Sequence, residues 1–394
     1  MTTFVNFILL ALSLPAAAAS LYLLLFTLIS RAPSVALRSS RQLRFDVIVP
    51  AHNEESVIQG VVANLLNLDW PADGFRVLIV ADNCTDSTAS LARAAGAEVL
   101  ERHDAKHRGK GYALEFAFQV SQTHGFAYAV VVIDADTEVS ENLLEAFAAR
   151  IESGAKVIQA HYGVLNSQTS WRTRLMTIAM ASFHRVRSRA RERLRLSCGL
   201  RGNGWCITHQ LLRQVPYRAF SLAEDIEYGI DLGLAGYRVH YADEAHVAAM
   251  MVSGELAART QRQRWEDGRF QLIRSKTLPL LQAAMGHGGR VCLDLALDLL
   301  VLPLSYVALN VAVLIVLAGI ATLWDSSMEI WLWLGLGCGL SLLLYVLRGW
   351  QLSGVGLRGL LDLSLAPFFV FWKVLLMLRT HSSAEWVRTK REQS

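Results

Sequence analysis

The chain has 394 residues, 53% of them hydrophobic and 18% charged, and a formal net charge of only +4. So small a charge, with no nucleic-acid motif, no repeat and no low-complexity segment, argues against a nucleic-acid binder, a solenoid or a disordered chain. Cys84, Cys198, Cys206, Cys292 and Cys338 show neither paired nor metal-ligand spacing, which fits a reducing compartment.

Residues 1–30 carry no charged side chain and contain apolar runs at 4–14 and 21–29, enough for the ~20 residues that cross a hydrocarbon core. The positive charges Arg31, Arg38, Arg41 and Arg44 follow the apolar run instead of preceding it. That order predicts an uncleaved transmembrane helix over 1–30 and a basic juxtamembrane linker over 31–44 on the cytoplasmic side.

From residue 45 short apolar runs alternate with amphipathic ones. Strands are expected at 45–50, 76–81 and 97–100, with helices reaching 66, 95 and 123, and this alternation predicts an α/β domain over 45–245 with a mostly parallel, doubly wound sheet. The next run, Val130-Val131-Val132-Ile133, reads as a strand buried on both faces, and it leads straight into Asp134-Ala135-Asp136. In open α/β sheets ligands bind beyond such strand ends. Strand residues two apart share a face, so these carboxylates suit a hard cation that also holds phosphates, although an Asp-rich turn has the same spacing.

A further strand is expected at 156–160, and one or two helices over 171–196. These end in a run from Arg185 to Arg195 in which every second residue is Arg, a composition suited to anionic lipid headgroups. A glycine-bearing loop covers 199–204, and a helix opens at Glu224-Asp225, where acids can also be simple dipole partners. Interfacial helices are expected over 246–290, carrying Gln261-Arg262-Gln263-Arg264-Trp265. The apolar stretches 291–324 and 330–347 read as a transmembrane hairpin whose connector, 325–329, has no Lys or Arg. The final segment, 348–394, reads as an interfacial or re-entrant helix with Lys373 snorkelling, then a basic tail. Counting basic residues puts the N-terminus and connector outside, and the catalytic domain and tail inside.

The succession Asp82, Asp134-x-Asp136, Glu224-Asp225 and Gln261-x-x-Arg264-Trp265, flanked by membrane segments, resembles the membrane-embedded family 2 glycosyltransferases over about residues 45–275. That group contains cellulose, hyaluronan, chitin and poly-N-acetylglucosamine synthases and ceramide glucosyltransferases. The resemblance implies a GT-A fold and an inverting enzyme of the inner membrane that takes a UDP-sugar donor and uses Mg²⁺ or Mn²⁺ at Asp134 and Asp136. The implied acceptor is an envelope polysaccharide or lipid-linked glycan, with export-complex subunits as partners; a ceramide-like, diacylglycerol or other membrane lipid is the alternative. A non-catalytic partner of a polysaccharide complex is a third reading.

Residue by residue, the resemblance puts Pro50, Glu54 and Asp82 at the nucleoside, with Asp82 at the uracil, and Lys110 and Asp134 near the nucleotide. Gln261, Arg264 and Trp265 fall at the diphosphate and donor pocket. Gly202-Asn203-Gly204 replaces the polymer synthases' Gly-Thr-Asn as the acceptor-side loop, and Asp225 is the implied general base, with Glu224 and Glu227 its rivals. Ala223 stands where the family has Thr or Ser. Plainer roles compete: an Asx turn for Asp82, a solvated lysine for Lys110, and helix capping for the acids.

Overall fold

The computed structural model describes residues 2–35, 38–251, 255–286 and 289–366, with residues 2 and 255–265 as backbone only. The chain divides into two compact units. One holds the described parts of 1–31, 168–190 and 297–385; the other holds those of 32–167 and 191–296.

The second unit is built on an eight-stranded sheet of β1 (Phe45–Ala51), β2 (Phe75–Asp82), β3 (Glu98–Arg102), β4 (Ala129–Val132), β5 (Thr137–Val139), β6 (Val157–Val164), β7 (Trp205–Thr208) and β8 (His240–Ala249). Their order is β3-β2-β1-β4-β7-β6-β8-β5. β1 to β4 are mutually parallel, as the βαβ alternation predicts, and β6 pairs parallel with β8. β7 runs antiparallel between β4 and β6, and β5 antiparallel to β8. Helices cover both faces, so alternate strand residues enter two different cores. Val47, Val49, Ile79 and Val131 pack in one, and Ile48, Leu78, Val80, Val130 and Val132 in the other. This two-sided burial is why the strands are continuous Val/Ile runs.

In the other unit, three helices among the described residues are long and apolar enough to cross a membrane: Thr3–Ile29, Leu304–Thr322 and Ser326–Ser353. Small residues on the last of them let its neighbours, Leu304–Thr322 and the 171–193 segment, approach closely, as in membrane bundles generally. A Cβ on Gly335 would stand 2.9 Å from Ile315 Cγ1, and one on Gly349 only 1.8 Å from Ser182 Oγ.

Three details differ from expectation. The sheet extends past the expected boundary at 245, because β8 runs to Ala249, so 246–249 is strand and not interfacial helix. The first arm of the hairpin begins at Leu304, because residues 289–300 form a separate amphipathic helix ended by the turn before Pro303. Its acids explain the break: Asp294 pairs with Arg191 at 2.8 Å and Asp298 with Arg187 at 2.9 Å, charges that a lipid-facing span could not carry cheaply. The Arg run, moreover, does not form one lipid-facing surface. Arg187, Arg189 and Arg191 are all buried within the protein. The segment itself is a helix over Trp171–Met180, a π-helical turn over Ala181–Val186 and a helix over Arg187–Arg193. Of 348–394, the described part continues the last span and adds the short helix Gly356–Asp362; Lys373 and the tail lie outside the described residues.

Candidate active site

At the carboxyl ends of β1 and β2, the loop after β1 crosses the end of β2. His52 Nδ1 lies 2.7 Å from the Asp82 carbonyl, Asn53 Oδ1 accepts the Thr85 N–H at 2.8 Å, and the Glu54 N–H donates to Thr88 Oγ1 at 2.7 Å. Asn53 and Asn83 take φ of 56° and 51°, a left-handed turn that asparagine tolerates. Pro50 pairs in register with Val80, so Pro50, Glu54 and Asp82 share one rim. Asp82 is buried, and its Oδ1 accepts from Arg102 Nη1 at 2.6 Å and Asn83 Nδ2 at 3.0 Å.

Asp134 and Asp136 stand in the turn between β4 and β5 and not on a strand, so strand alternation is not what places them. β4 stops because Asn203, fully buried, takes over the hydrogen bonding. Its Oδ1 accepts the Asp134 N–H at 3.0 Å, and its Nδ2 donates to Thr137 Oγ1 at 2.7 Å. Gln159 holds the loop from β6: its Nε2 donates to the Asn203 carbonyl at 2.7 Å, and its Oε1 accepts the Arg201 N–H at 2.9 Å. Gly202 and Gly204 flank Asn203 at φ of +78° and +71°, where a side chain would be strained. A Cβ on Gly202 would lie 3.4 Å from Asp225 Oδ2 and one on Gly204 2.5 Å from Val247 Cγ2. The loop therefore sits wedged between the Asp134 turn and Asp225.

Lys110, first residue of the helix Lys110–His124, connects these parts. Its Nζ donates to Asp134 Oδ1 and, at 2.5 Å, to the Gly202 carbonyl. Burial works against its ammonium, but the charges of Asp134, Glu224 and Asp225 outweigh burial and hold its pKa above the ordinary lysine value. Glu224 and Asp225 open the helix Glu224–Leu234 as expected. Enclosure by protein raises both carboxyls, Glu224 to about 7, while the charge of Lys110 pulls each back down. Two acids with raised pKa values beside a cation are suited to moving a proton near neutral pH.

The Gln261-x-x-Arg264-Trp265 stretch lies on the helix Glu255–Met285; its side chains are outside the described residues. That helix passes the acids at Gly268, where an added Cβ would stand 2.9 Å from Ala223 Cβ. Ala223 is buried at this close approach, which leaves no room for a side chain on Gly268.

The structure brings together Lys110, Asp134, Gly202, Asn203, Glu224 and Asp225, with Pro50, Glu54 and Asp82 at the neighbouring strand ends. It also adds Tyr162, Gln159 and Arg201, which sequence reasoning missed. Burial and the charges of Asp134, Asp136 and Asp225 push the Tyr162 phenol far up, and Asn203 hydrogen-bonds it. Tyr162 gave no signal, being an ordinary strand residue. Gln159 did, as a polar side chain inside the apolar run Val157-Ile158-Gln159-Ala160.

A beta-monoglucosyldiacylglycerol synthase of Synechocystis sp. is 29% identical over 236 residues, covering 57% of this chain and 47% of that protein. A probable glycosyltransferase of Sulfolobus acidocaldarius is 24% identical over 355 residues, covering 85% of this chain and 75% of its own length. The chain spans about half the length of the first curated relatives it matches. Among solved structures, the mannosyltransferase PcManGT from Pyrobaculum calidifontis, in complex with GDP-Man and Mn2+, superposes with a TM-score of 0.52 at 18% identity, over 88% of this chain and 98% of that one; it shows the fold. The family described as glycosyltransferase like family 2 matches residues 43–268, more than half of the chain, and the chain belongs to that family.

Proposed function

We propose that this chain transfers a sugar, with inversion, from a UDP-sugar to a hydroxyl of a membrane lipid of the diacylglycerol type. The observation that carries the reading is the meeting of Asp225 with the Gly202–Asn203 loop, beside Lys110 and Asp134. Asp225 takes the acceptor proton, the acceptor oxygen bonds to the anomeric carbon from one side, and UDP leaves from the other with the electron pair of the broken bond. Lys110 balances the negative charge that gathers at the Asp134 end. Asp82, Pro50 and Glu54 hold the nucleoside, and Arg264, with Gln261 and Trp265, binds the diphosphate.

Among the described residues no group of three or more His, Cys, Asp or Glu side chains could hold a metal ion. Asp134 and Asp136 lie two residues apart in the turn between β4 and β5. A pair of carboxylates fits Mg²⁺ or Mn²⁺ if the donor's phosphates complete the coordination, as is usual for Mg²⁺. Bound there, the ion would neutralise charge on the leaving diphosphate.

The lipid acceptor is supported by the named activity of the monoglucosyldiacylglycerol synthases and by the three membrane-length helices. An envelope polysaccharide or lipid-linked glycan, with export subunits, is the second reading. Purified protein in lipid nanodiscs, given a panel of nucleotide sugars, tests the choice by UDP release and mass spectrometry of the products. A glycosylated lipid whose formation stops in excess chelator and returns with Mg²⁺ or Mn²⁺ is expected. Elongating polymer without glycolipid would overturn the lipid reading, and undiminished transfer in chelator the metal.

A further inference from the structure

Asp46, within the apolar run Phe45-Asp46-Val47-Ile48, is fully buried at the opposite end of β1 from Pro50. Arg76 reaches it from β2 with a fork, Nε donating to Oδ1 and Nη2 to Oδ2, each at 3.0 Å. Ser121, fully buried in the last turn of the helix Lys110–His124, donates its hydroxyl to Asp46 Oδ2 at 2.5 Å. His209, buried directly after β7, places Nε2 3.0 Å from the same Ser121 oxygen. A carboxylate only accepts and a hydroxyl has one hydrogen, so with that hydrogen given to Asp46 it is the His209 Nε2–H that donates to Ser121. This order does not suit a serine nucleophile, which would give its hydrogen to the imidazole.

Each of these four groups holds one end of an element whose other end carries residues of the candidate site. β1 runs from Asp46 to Pro50, and β2 from Arg76 to Asp82. The helix that ends in the Ser121 turn begins with Lys110, and β7, which His209 follows, is preceded by Gly202–Gly204. At about 3.3 Å per strand residue and 1.5 Å per helix residue, the spans are roughly 13–20 Å. The helix rests on the sheet through Ala113, Leu114, Ala117 and Phe118, apolar contacts that have no preferred direction. A buried ion pair adds little stability that apolar packing could not supply, whereas its directed bonds fix the relative places of the groups that make them.

We infer that Asp46, Arg76, Ser121 and His209 form a positioning cluster that sets Lys110 and the Gly202–Gly204 loop against the nucleoside rim of Pro50 and Asp82 for sugar transfer. The inference rests on the sugar-transfer reading of those site residues, and all four members act at a distance from the reactants. Ser121 is the joint, since its hydroxyl ties the helix both to β1 and to the end of β7. A close-packed interior transmits strain, and a displacement of about 1 Å at reacting groups can cost 10²-fold in rate. Ser121→Ala removes both bonds of the hydroxyl and keeps the Arg76 fork. Alanine also favours helix more than serine does, so the expected loss does not come from a weaker helix.

The test uses full-length protein in lipid nanodiscs, with UDP release from UDP-glucose, UDP-galactose and UDP-N-acetylglucosamine read beside amide hydrogen exchange without nucleotide. At a temperature where the variant is fully folded, Ser121→Ala should lower kcat about 10–100-fold and leave KM for the UDP-sugar within about twofold. Exchange should quicken in peptides covering 110–112 and 202–204, at the far ends of the elements from the substitution. His209→Gln, which offers an N–H near the place of Nε2, should recover most of the turnover that His209→Ala loses, and this pair reads the same bridge if Ser121→Ala does not fold. Wild-type kcat in folded Ser121→Ala, or faster exchange confined to 119–128 and 207–212, would overturn the cluster's role. So would equal turnover in His209→Gln and His209→Ala. A wild type that releases no UDP, with exchange still spreading to 110–112 and 202–204, would overturn the sugar-transfer reading and leave the mechanical coupling standing.

Discussion

Asn203 Oδ1 accepts the backbone N–H of Asp134 at 3.0 Å, and this one bond joins two loops 69 residues apart in sequence. It fixes the turn that carries the paired aspartates against the loop that faces Asp225. Asn203→Ala is expected to leave the part-buried Asp134 N–H without its partner and to cost roughly 1–3 kcal/mol of stability. Urea or thermal unfolding would measure that cost, and UDP release should fall with it. Asn203→Asp, which places an oxyanion beside Asp134, should be worse on both counts.

Asp225 and Glu224 are separated by paired isosteric changes. A positioned general base contributes about 10²–10⁴-fold, or roughly 3–5 kcal/mol of barrier, so Asp225→Asn should lower turnover by that order. Affinity for UDP, read by calorimetry, should change little. Glu224→Gln should have a smaller effect on turnover. The reverse pattern would move the base to Glu224, and a selective loss of UDP affinity would make Asp225 a donor-site residue.

Stability and activity should have opposite pH slopes. Folding raises Glu224 from 4.5 to about 7, and Asp225 in the same direction. Between 4.5 and about 7 the native state keeps a proton that the unfolded chain has lost. The stabilisation is therefore complete below the lower value and is lost as pH rises through the upper one. Melting curves from acid to neutral pH should show the wild type losing stability relative to Glu224→Gln over that window. Turnover, which needs an ionised base, should rise across it.

Gly204→Ala should destabilise the sheet-bearing unit by about 2 kcal/mol or more, through left-handed strain and overpacking. Its new Cβ would stand 2.5 Å from Val247 Cγ2, so adding Val247→Ala should recover the packing part of the loss and leave the backbone part. Equal instability of single and double variants would show that strain alone decides.

The topology is open to labelling. Ser326 opens the connector after Leu304–Thr322, a stretch without Lys or Arg. Ser326→Cys should react with an impermeant maleimide applied from outside and Ser382→Cys should not; labelling of the second alone would invert the arrangement.

Much of the fold was legible because burial on both faces writes itself into sequence. Val130–Val132 reads as a central strand, and alternate residues of it do enter two cores. The acid helix was visible in Glu224-Asp225. What could not be read was placement that depends on a distant partner. The Asp134–Asp136 spacing suggested a strand end, but a side-chain bond from Asn203 makes it a turn. The 291–300 stretch was apolar enough for a membrane span until Arg191 and Arg187 supplied partners for its two acids. Tyr162 enters the site only through long-range strand pairing, which no local pattern records.

The antiparallel seating of β7 gives the loop before it an unusually small tolerance for changes of length. Trp205 pairs with Val132 on one side and Gln159 on the other, and it faces the core of Phe118 and Tyr228, whereas Cys206 faces the opposite core. Removing one residue from 202–204 leaves two outcomes. Either Asn203 is drawn off Asp134, or β7 slips by one position and the indole is delivered to the wrong side of the sheet. Variation in acceptor preference by insertion or deletion is thus closed at this loop, and has to come from substitutions within it or from the segments around it.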